Sequence, residues 1–199
     1  NYVQPPVPDG DFDEVREGVL RGIYRFKQSR SQTNRPDINL FGSGAILNET
    51  LAAQRRLLNY GIQADVWSVT SYNQLRRDAQ SIERWNRLHP ESTPHKSFLE
   101  HSLGDLPAPV IAASDYLKSL PDSVAKYVNA PFTSLGTDGF GRSSTREELR
   151  DFFEVSADHI VFAALSQLVR DERILVSEFQ EFVNELDVDI SQPDPVTVD

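Results

Sequence analysis

The chain has 199 residues, 39% of them hydrophobic and 25% charged, with a formal net charge of −10. These proportions are typical of one folded domain with a packed core, and they exclude a wholly disordered chain. Cysteine is absent, which excludes disulfides, thiolate metal sites and cysteine nucleophiles and favours a cytoplasmic setting.

Charge is unevenly distributed along the sequence. Residues 171–199 hold nine acidic residues and one basic residue, and this acidic end is expected to aid solubility. No stretch is basic enough to contact a nucleic-acid backbone, and no apolar run approaches the roughly 18 residues of a membrane span. We therefore expect no nucleic-acid partner and no membrane.

Methionine is absent from the sequence, including position 1. Asn1 shows no trace of the charged and apolar regions of a signal peptide. We therefore expect these residues to be a piece of a longer chain.

Residues 1–36 are predicted to lead into the main domain. Residues 1–10 contain three prolines, which predicts an extended arm. Apolar spacing in Asp13–Gly22 predicts a helix, and the alternation in Ile23–Phe26 predicts a strand. Polar residues 28–37 are typical of a surface connection.

From residue 38 onward, strands and helices alternate. Ile38–Phe41 is predicted as a strand and Asp65–Val69 as the next one. The helix between them, ended by Gly61, is expected to bury one face. That face comprises Leu47, Leu51, Gln54 and Leu58.

A further helix is predicted after Ser71. Ser71 and Gln74 have the spacing of a capping box, which marks the start of a helix. Its apolar residues are Leu75, Ile82 and Trp85. Residues 88–109 contain four prolines and are predicted to form a long connection.

The second half continues the alternation. Strands are predicted at Pro109–Ala113 and Phe132–Leu135. Ser114 is expected to open a short helix that carries Tyr116, Leu117 and Leu120. Three helices are predicted to close the chain, beginning at Ser144 or Thr145, at Ser156 and at Ser177.

Short apolar strands alternating with helices are typical of a parallel sheet that helices cover on both faces. The predicted fold class is α/β: a three-layer sandwich with a mostly parallel five-stranded sheet and one antiparallel edge strand, Ile23–Phe26. This domain is expected to span residues 37–190, after the lead-in 1–36 and before an acidic tail at 191–199.

One glycine-rich turn, Gly42-Ser43-Gly44, lies between a strand and a helix, where backbone N–H groups and the helix dipole hold anions in other folds. A dinucleotide fingerprint would need a third glycine at position 47, which is Leu47, and the lysine of a phosphate-binding loop is missing. Two interpretations stay open: a tight structural turn, or a site for a small anion.

Histidines recur every six residues at His89, His95 and His101. A zinc-hydrolase helix places two histidines four residues apart, so this spacing favours caps or surface positions over a metal site. No Gly-x-Ser-x-Gly nucleophile motif occurs. The residues alone therefore predict no catalytic, cofactor-binding or metal-binding residue.

A second glycine-rich segment follows the last predicted strand. Loops at the carboxyl ends of parallel strands are where open α/β sheets meet ligands or partners. Phe140 lies there between two glycines, in a loop that can bend sharply. We interpret the segment as a contact for another domain or subunit, with a merely structural turn as the alternative. The predicted contact residues are Asp138, Gly139, Phe140, Gly141, Arg142 and Ser143.

Several motifs, taken in order, resemble one enzyme family. They are Phe41–Leu47, Asp65–Ser71, Glu83–Asn86, Leu88–Pro90, Ser114–Tyr116, Thr137–Ser143 and Phe152–Val155. Together they resemble the carboxyl-terminal domain of the homodimeric bacterial-type, thiamine-dependent pyruvate dehydrogenases, the first component of the pyruvate dehydrogenase complex. The resemblance covers about residues 1–190.

The resemblance implies a third, transketolase-like domain that completes the subunit and contributes to a homodimer. Full-length members of this oxidoreductase family decarboxylate pyruvate with thiamine diphosphate and Mg²⁺. They pass the acetyl unit to lipoyl groups of the dihydrolipoyl acetyltransferase component. The resemblance places the catalytic, cofactor and metal residues in two preceding domains, so we expect this chain alone to be inactive and to bind no cofactor. The alternative is a stand-alone ligand-sensing module that binds a small anion at Gly42-Ser43-Gly44.

Overall fold

The computed structural model describes residues 3, 5–7, 12–29, 35–105 and 107–197. Parts of the predicted arm, of the polar connection and of the acidic tail lie outside the described residues. The strands of the described residues are β1 (Ile23–Lys27), β2 (Ile38–Gly42), β3 (Ala64–Val69), β4 (Val110–Ala113) and β5 (Phe132–Leu135). The α-helices are α1 (Phe12–Arg21), α2 (Leu47–Asn59), α3 (Tyr72–Leu88), α4 (Phe98–Leu103), α5 (Ser119–Ala125), α6 (Arg146–Phe152), α7 (Ala157–Arg170) and α8 (Val176–Val183).

The five strands form one mixed sheet in the order β1-β3-β2-β4-β5. β2 pairs in parallel with both β3 and β4, and β4 pairs in parallel with β5. β1 lies at the edge and pairs antiparallel with β3. The predicted fold class, including its antiparallel edge strand, is confirmed.

Two hydrophobic cores lie on the two faces of this sheet, because successive strand residues point to opposite sides. Leu40 and Val66 point to the face covered by α2 and α7. Phe41 and Trp67 point to the other face, where side chains of α3, α4 and α5 complete the core. The result is a three-layer arrangement of helices, sheet and helices.

The face that α2 buries differs by about one residue from the predicted one. Leu47 and Gln54 are buried as expected, but Leu58 is 46% exposed and Leu57 is buried in its place. A Cβ on Gly42 would lie 2.6 Å from the Thr50 hydroxyl oxygen, so α2 turns its small residues toward the strand for close packing.

A helix interrupts the long connection predicted at 88–109. α4 begins after Ser97, whose hydroxyl accepts a hydrogen bond from the Glu100 N–H, while the Glu100 carboxylate accepts from the Ser97 N–H at 2.7 Å. This is a capping box, and the buried Leu99 anchors the helix in the core. The prolines on both sides concealed this signal in the sequence.

The short helix predicted from Ser114 is wrong in its position. The Ser114 hydroxyl accepts a hydrogen bond from the Tyr116 N–H, which makes a turn, and α5 begins only at Ser119. Tyr116 and Leu117 are therefore exposed instead of packed. Thr145 and Ser156 are the N-caps of α6 and α7, as predicted. The predicted start at Ser177 is wrong, because Leu175 is the N-cap of α8 and Ser177 lies within its first turn.

By length and composition alone, residues 146–170 contain a window apolar enough to cross a membrane, with a mean hydropathy of 1.3. They form two helices, α6 and α7, which residues 153–156 separate. Half of that window is buried within the fold. Packing against the sheet accounts for its apolar character.

Candidate functional site

Four parallel strands, β3, β2, β4 and β5, end side by side at one edge of the sheet, which we call the carboxyl edge. The chain leaves β2 toward β3 on one side and leaves β4 toward β5 on the other, so a topological switch point lies between β2 and β4. There the buried Ser43 hydroxyl donates to the Ser114 hydroxyl oxygen at 2.9 Å. Open α/β sheets bind ligands at this kind of crevice.

The Gly42-Ser43-Gly44 turn lies at this switch point, and packing explains much of it. The Ser43 N–H donates to the Ala113 carbonyl at 3.3 Å, and Gly42 admits the Thr50 side chain. A short 3-10 turn, Gly44–Ile46, follows instead of the first turn of an α-helix. Anion binding by the turn itself stays a prediction.

The predicted contact segment is docked onto the loop that follows β4. The Thr137 N–H donates to the Tyr116 carbonyl at 2.9 Å, and the Lys118 N–H donates to the Asp138 carboxylate at 3.1 Å. Asp138 thus ties the two loops together. Both loops are held in place by backbone groups instead of by long side chains.

Residues 195–197 pack on the same segment. Gly139 has a φ of +103°, and a Cβ at this position would lie 2.8 Å from the Pro195 carbonyl oxygen. Pro195 is buried in this contact, within a 3-10 turn at Pro195–Thr197. A larger residue at 139 would be strained and would push this turn away.

Three large apolar side chains project from the two bonded loops. Phe140 is 70% exposed, Tyr116 61% and Leu117 53%. We call these three residues the carboxyl-edge patch. Exposed apolar surface gathered in one place marks an interaction site more often than scattered apolar residues do. Gly141 and Ser143 are also exposed in the same segment.

Behind this segment lies a cavity of about 360 Å³, which we call the edge pocket. Its apolar lining comes from Ala45, Ile46, Leu149, Phe153 and Val155. Its charged lining comes from Asp115, Arg142, Arg146 and Arg150. Of the three arginines, the sequence pointed to Arg142 alone, although the repeat of arginine every four residues could have indicated Arg146 and Arg150 as well.

Two of the three arginines have partners within the fold. The Arg142 guanidinium carbon lies 4.4 Å from the centroid of the Phe152 ring. Arg150 donates to the Glu49 carboxylate at 2.6 Å, and the same carboxylate accepts from the Ala157 N–H at 3.1 Å. Glu49 therefore links α2 to α6 and to the start of α7.

Among the described residues, the histidines are not grouped with other metal-ligating side chains. The His89 and His95 rings stack on Trp85, with centroid distances of 4.5 Å and 3.7 Å, and His101 is exposed on α4. His159 is buried, 2.8 Å from the Ser156 hydroxyl oxygen, and burial lowers its pKa.

Mg²⁺, which the resemblance implies for full-length enzymes, takes several oxygen ligands. Among the described residues, no three histidine, aspartate or glutamate side chains come together in a group that could hold a metal ion.

Comparison with known families and proteins gives a consistent result. The family model described as the transketolase-like TK C-terminal domain matches residues 22–156. The pyruvate dehydrogenase E1 component of Pseudomonas aeruginosa is 45% identical over 84% of this chain and 19% of its own length. Those of Cupriavidus necator and Escherichia coli are 36% and 38% identical over 100% and 98% of the chain, and over 22% and 21% of their own lengths. The chain thus spans about a fifth of these curated relatives.

Solved structures support the fold. A transketolase from Pichia stipitis superposes with a TM-score of 0.56 at 17% identity, over 78% of this chain and 19% of that one. A split-gene transketolase, described as an inactive β4 tetramer, gives a TM-score of 0.51 at 19% identity, over 83% and 46% of the two chains. At such identities the likeness concerns the fold alone.

Proposed function

Since the chain belongs to the family of transketolase-like carboxyl-terminal domains, we propose that it is the carboxyl-terminal domain of a pyruvate dehydrogenase E1 component. The observation that carries this proposal is 36–45% identity to three such components over 84–100% of the chain. In the full-length cytoplasmic enzyme, preceding domains would hold thiamine diphosphate and Mg²⁺ and carry the decarboxylation of pyruvate. A stand-alone module that senses an anion at Gly42-Ser43-Gly44 finds no support in these relatives.

The role of this domain in the full-length enzyme is that of a scaffold and a contact. Residues 1–36 lead in from the preceding domain, and the carboxyl-edge patch contacts that domain or the second subunit of a homodimer. Exposed aromatic side chains on loops that are hydrogen-bonded to each other are well suited to such contacts, because less conformational entropy is lost on binding. Acetyl transfer to the dihydrolipoyl acetyltransferase component would be a property of the whole enzyme.

One experiment tests the division of labour. The purified 199-residue chain is expected to show no pyruvate-dependent CO₂ release and no calorimetric binding of thiamine diphosphate with Mg²⁺. A full-length E1 component, such as that of Pseudomonas aeruginosa, serves as the positive control. Turnover of pyruvate by the chain alone, or saturable binding of the cofactor, would contradict the proposal.

A chimera tests the assignment more directly. The matching region of the Pseudomonas aeruginosa E1 component is replaced by this chain, which is 45% identical to it over 170 residues. We expect the chimera to fold, to form the same oligomer as its parent and to retain pyruvate decarboxylation. A chimera that is folded but inactive, while a control graft from the Escherichia coli E1 component is active, would count against the assignment.

A further inference from the structure

We propose that the edge pocket binds a small organic phosphate that has one anionic group and an apolar body. This site lies outside the activity proposed above. Three features of the described residues support such binding: the place of the pocket in the sheet, its apolar floor and the partners of its charged groups.

The pocket lies where the topology of the sheet favours binding. Ala45 and Ile46 follow β2, Asp115 follows β4, and Thr137 follows β5, so three loops of the carboxyl edge meet around it. The switch point between β2 and β4 leaves a crevice there, because the connections that follow these two strands run in opposite directions. A volume of about 360 Å³ lies at the lower end of the range for small-molecule sites.

The floor of the pocket is apolar and well packed. Ile46 is 2% exposed and Phe153 is 8% exposed, and the partly buried Leu149 also lines the pocket. Apolar side chains at the base of a crevice favour a ligand whose body is also apolar, since burial of both surfaces releases water. A bare inorganic anion would leave this floor uncovered.

The charged rim favours one phosphate group. Arg146 is exposed at the first position of α6, and its side chain has no hydrogen bond or ion pair among the described residues. Arg150 is already neutralised by Glu49 at 2.6 Å and Arg142 lies on the Phe152 ring, so Arg146 is the group placed to bind an anion. A planar guanidinium donates two parallel N–H bonds to a phosphate.

Asp115 limits the ligand to a single anionic group. Its carboxylate oxygens lie 3.4 Å and 3.6 Å from the place that a Cβ on Gly44 would occupy. The carboxylate accepts no hydrogen bond from any residue that the structure describes. A negative charge on this side of the pocket repels a second anionic group and leaves the other end of the ligand neutral.

Titration of the 199-residue chain with phenyl phosphate, inorganic phosphate and benzoate at constant ionic strength tests the proposal. We expect saturable binding of phenyl phosphate, about tenfold tighter than that of inorganic phosphate, because the ring covers the apolar floor. Benzoate is expected to bind more weakly than phenyl phosphate by about the same factor, because its single carboxylate carries less charge toward Arg146.

Variants separate the site from general charge effects. Arg146→Gln is expected to weaken the binding of phenyl phosphate at least about fivefold, whereas Asp115→Asn strengthens it about two- to fivefold. Arg76→Gln, an exposed arginine on α3, is the control and leaves the affinity unchanged. Circular dichroism checks that each variant is folded.

Three results would overturn the proposal: no saturable binding of phenyl phosphate, equal affinity for benzoate, or an equal loss in Arg76→Gln and Arg146→Gln. The assay measures binding alone and needs no turnover. Its failure would therefore leave the assignment to an E1 component standing, and failure of the chimera would leave this site standing.

Discussion

Asn39 shows how a single polar residue fixes the interior of the sheet. Its amide nitrogen donates to the Ala108 carbonyl at 3.0 Å, and its amide oxygen accepts from the Trp67 indole N–H at 2.9 Å, all within the buried core. We expect Asn39→Ala to lower the free energy of unfolding by about 2–4 kcal/mol, because both partners lose their hydrogen bonds and a cavity remains. Urea unfolding followed by tryptophan fluorescence measures this loss. Asn73→Ala, which changes an exposed asparagine on α3, is the control. An equal loss of stability in this variant would show that the two hydrogen bonds of Asn39 do not stabilise the fold.

His159 predicts a dependence of stability on pH. Burial lowers its pKa in the folded state, although Glu154, Asp151 and Asp187 oppose the shift. The unfolded chain therefore binds a proton more readily below about pH 6.5, so the free energy of unfolding falls as the pH falls through this region. His159→Gln should flatten this fall between pH 7.5 and 5.5, by less than about 1.4 kcal/mol per pH unit. Unfolding in urea at each pH checks it, and His101→Gln, an exposed histidine, should leave the slope unchanged.

Residue types at helix starts were predictable, while their tertiary partners were not. Thr145 caps α6 with its side chain, and Ser156 occupies the N-cap position of α7 without a capping hydrogen bond, both at the predicted places, because helix starts depend on residues within one turn. The bond from Lys118 to Asp138 and the stacking of His95 on Trp85 depend on how distant segments meet. No local pattern in the sequence encodes such pairs.

At the scale of elements, strands were predicted more reliably than short helices. Buried parallel strands are continuous apolar runs, such as Val110–Ala113, and such runs stand out in a sequence. α4 has six residues between prolines, and its single buried anchor, Leu99, gives no periodicity to detect. The face of α2 was predicted about one residue away from the observed one, because Gly42 and Thr50 decide the approach of the helix and not hydrophobicity alone.

Glu49 provides a prediction at the same scale. Its carboxylate joins Arg150 of α6 and the N–H of Ala157 at the start of α7, and both charged side chains are about four-fifths buried. We expect Glu49→Ala to lower the free energy of unfolding by about 1–3 kcal/mol, because a largely buried arginine and a helix N-terminus lose their acceptor. Hydrogen exchange should increase in α6 first. Glu147→Ala, which changes an exposed acidic residue of α6, is the control. Equal hydrogen exchange in both variants would contradict a link from Glu49 to α6.

At the scale of the whole molecule, the sequence predicted at which edge of the sheet the segment 138–143 lies, but not the cavity behind it. The rule that loops follow the carboxyl ends of parallel strands located the segment 138–143 correctly at that edge. The edge pocket is built from three loops and α6, which are up to about a hundred residues apart in the chain. Only the strand order β3-β2-β4-β5 brings them together, and that order required the folded structure.

The carboxyl-edge patch gives the prediction that concerns the whole enzyme. Phe140 is 70% exposed and makes no part of either core, so Phe140→Ser should change the free energy of unfolding of this chain by less than about 0.5 kcal/mol. In a full-length E1 component that carries this domain, the same substitution should weaken association of domains or subunits about tenfold or more, since a buried aromatic anchor would be lost. Sedimentation of the full-length protein measures association, and urea unfolding measures the stability of the chain. Leu175→Ser removes an apolar side chain of similar exposure, 67%, outside the patch and serves as the control. Association that is unchanged by Phe140→Ser, or weakened equally by Leu175→Ser, would show that the patch is not the contact, because an interface loses affinity only when its own anchors are removed.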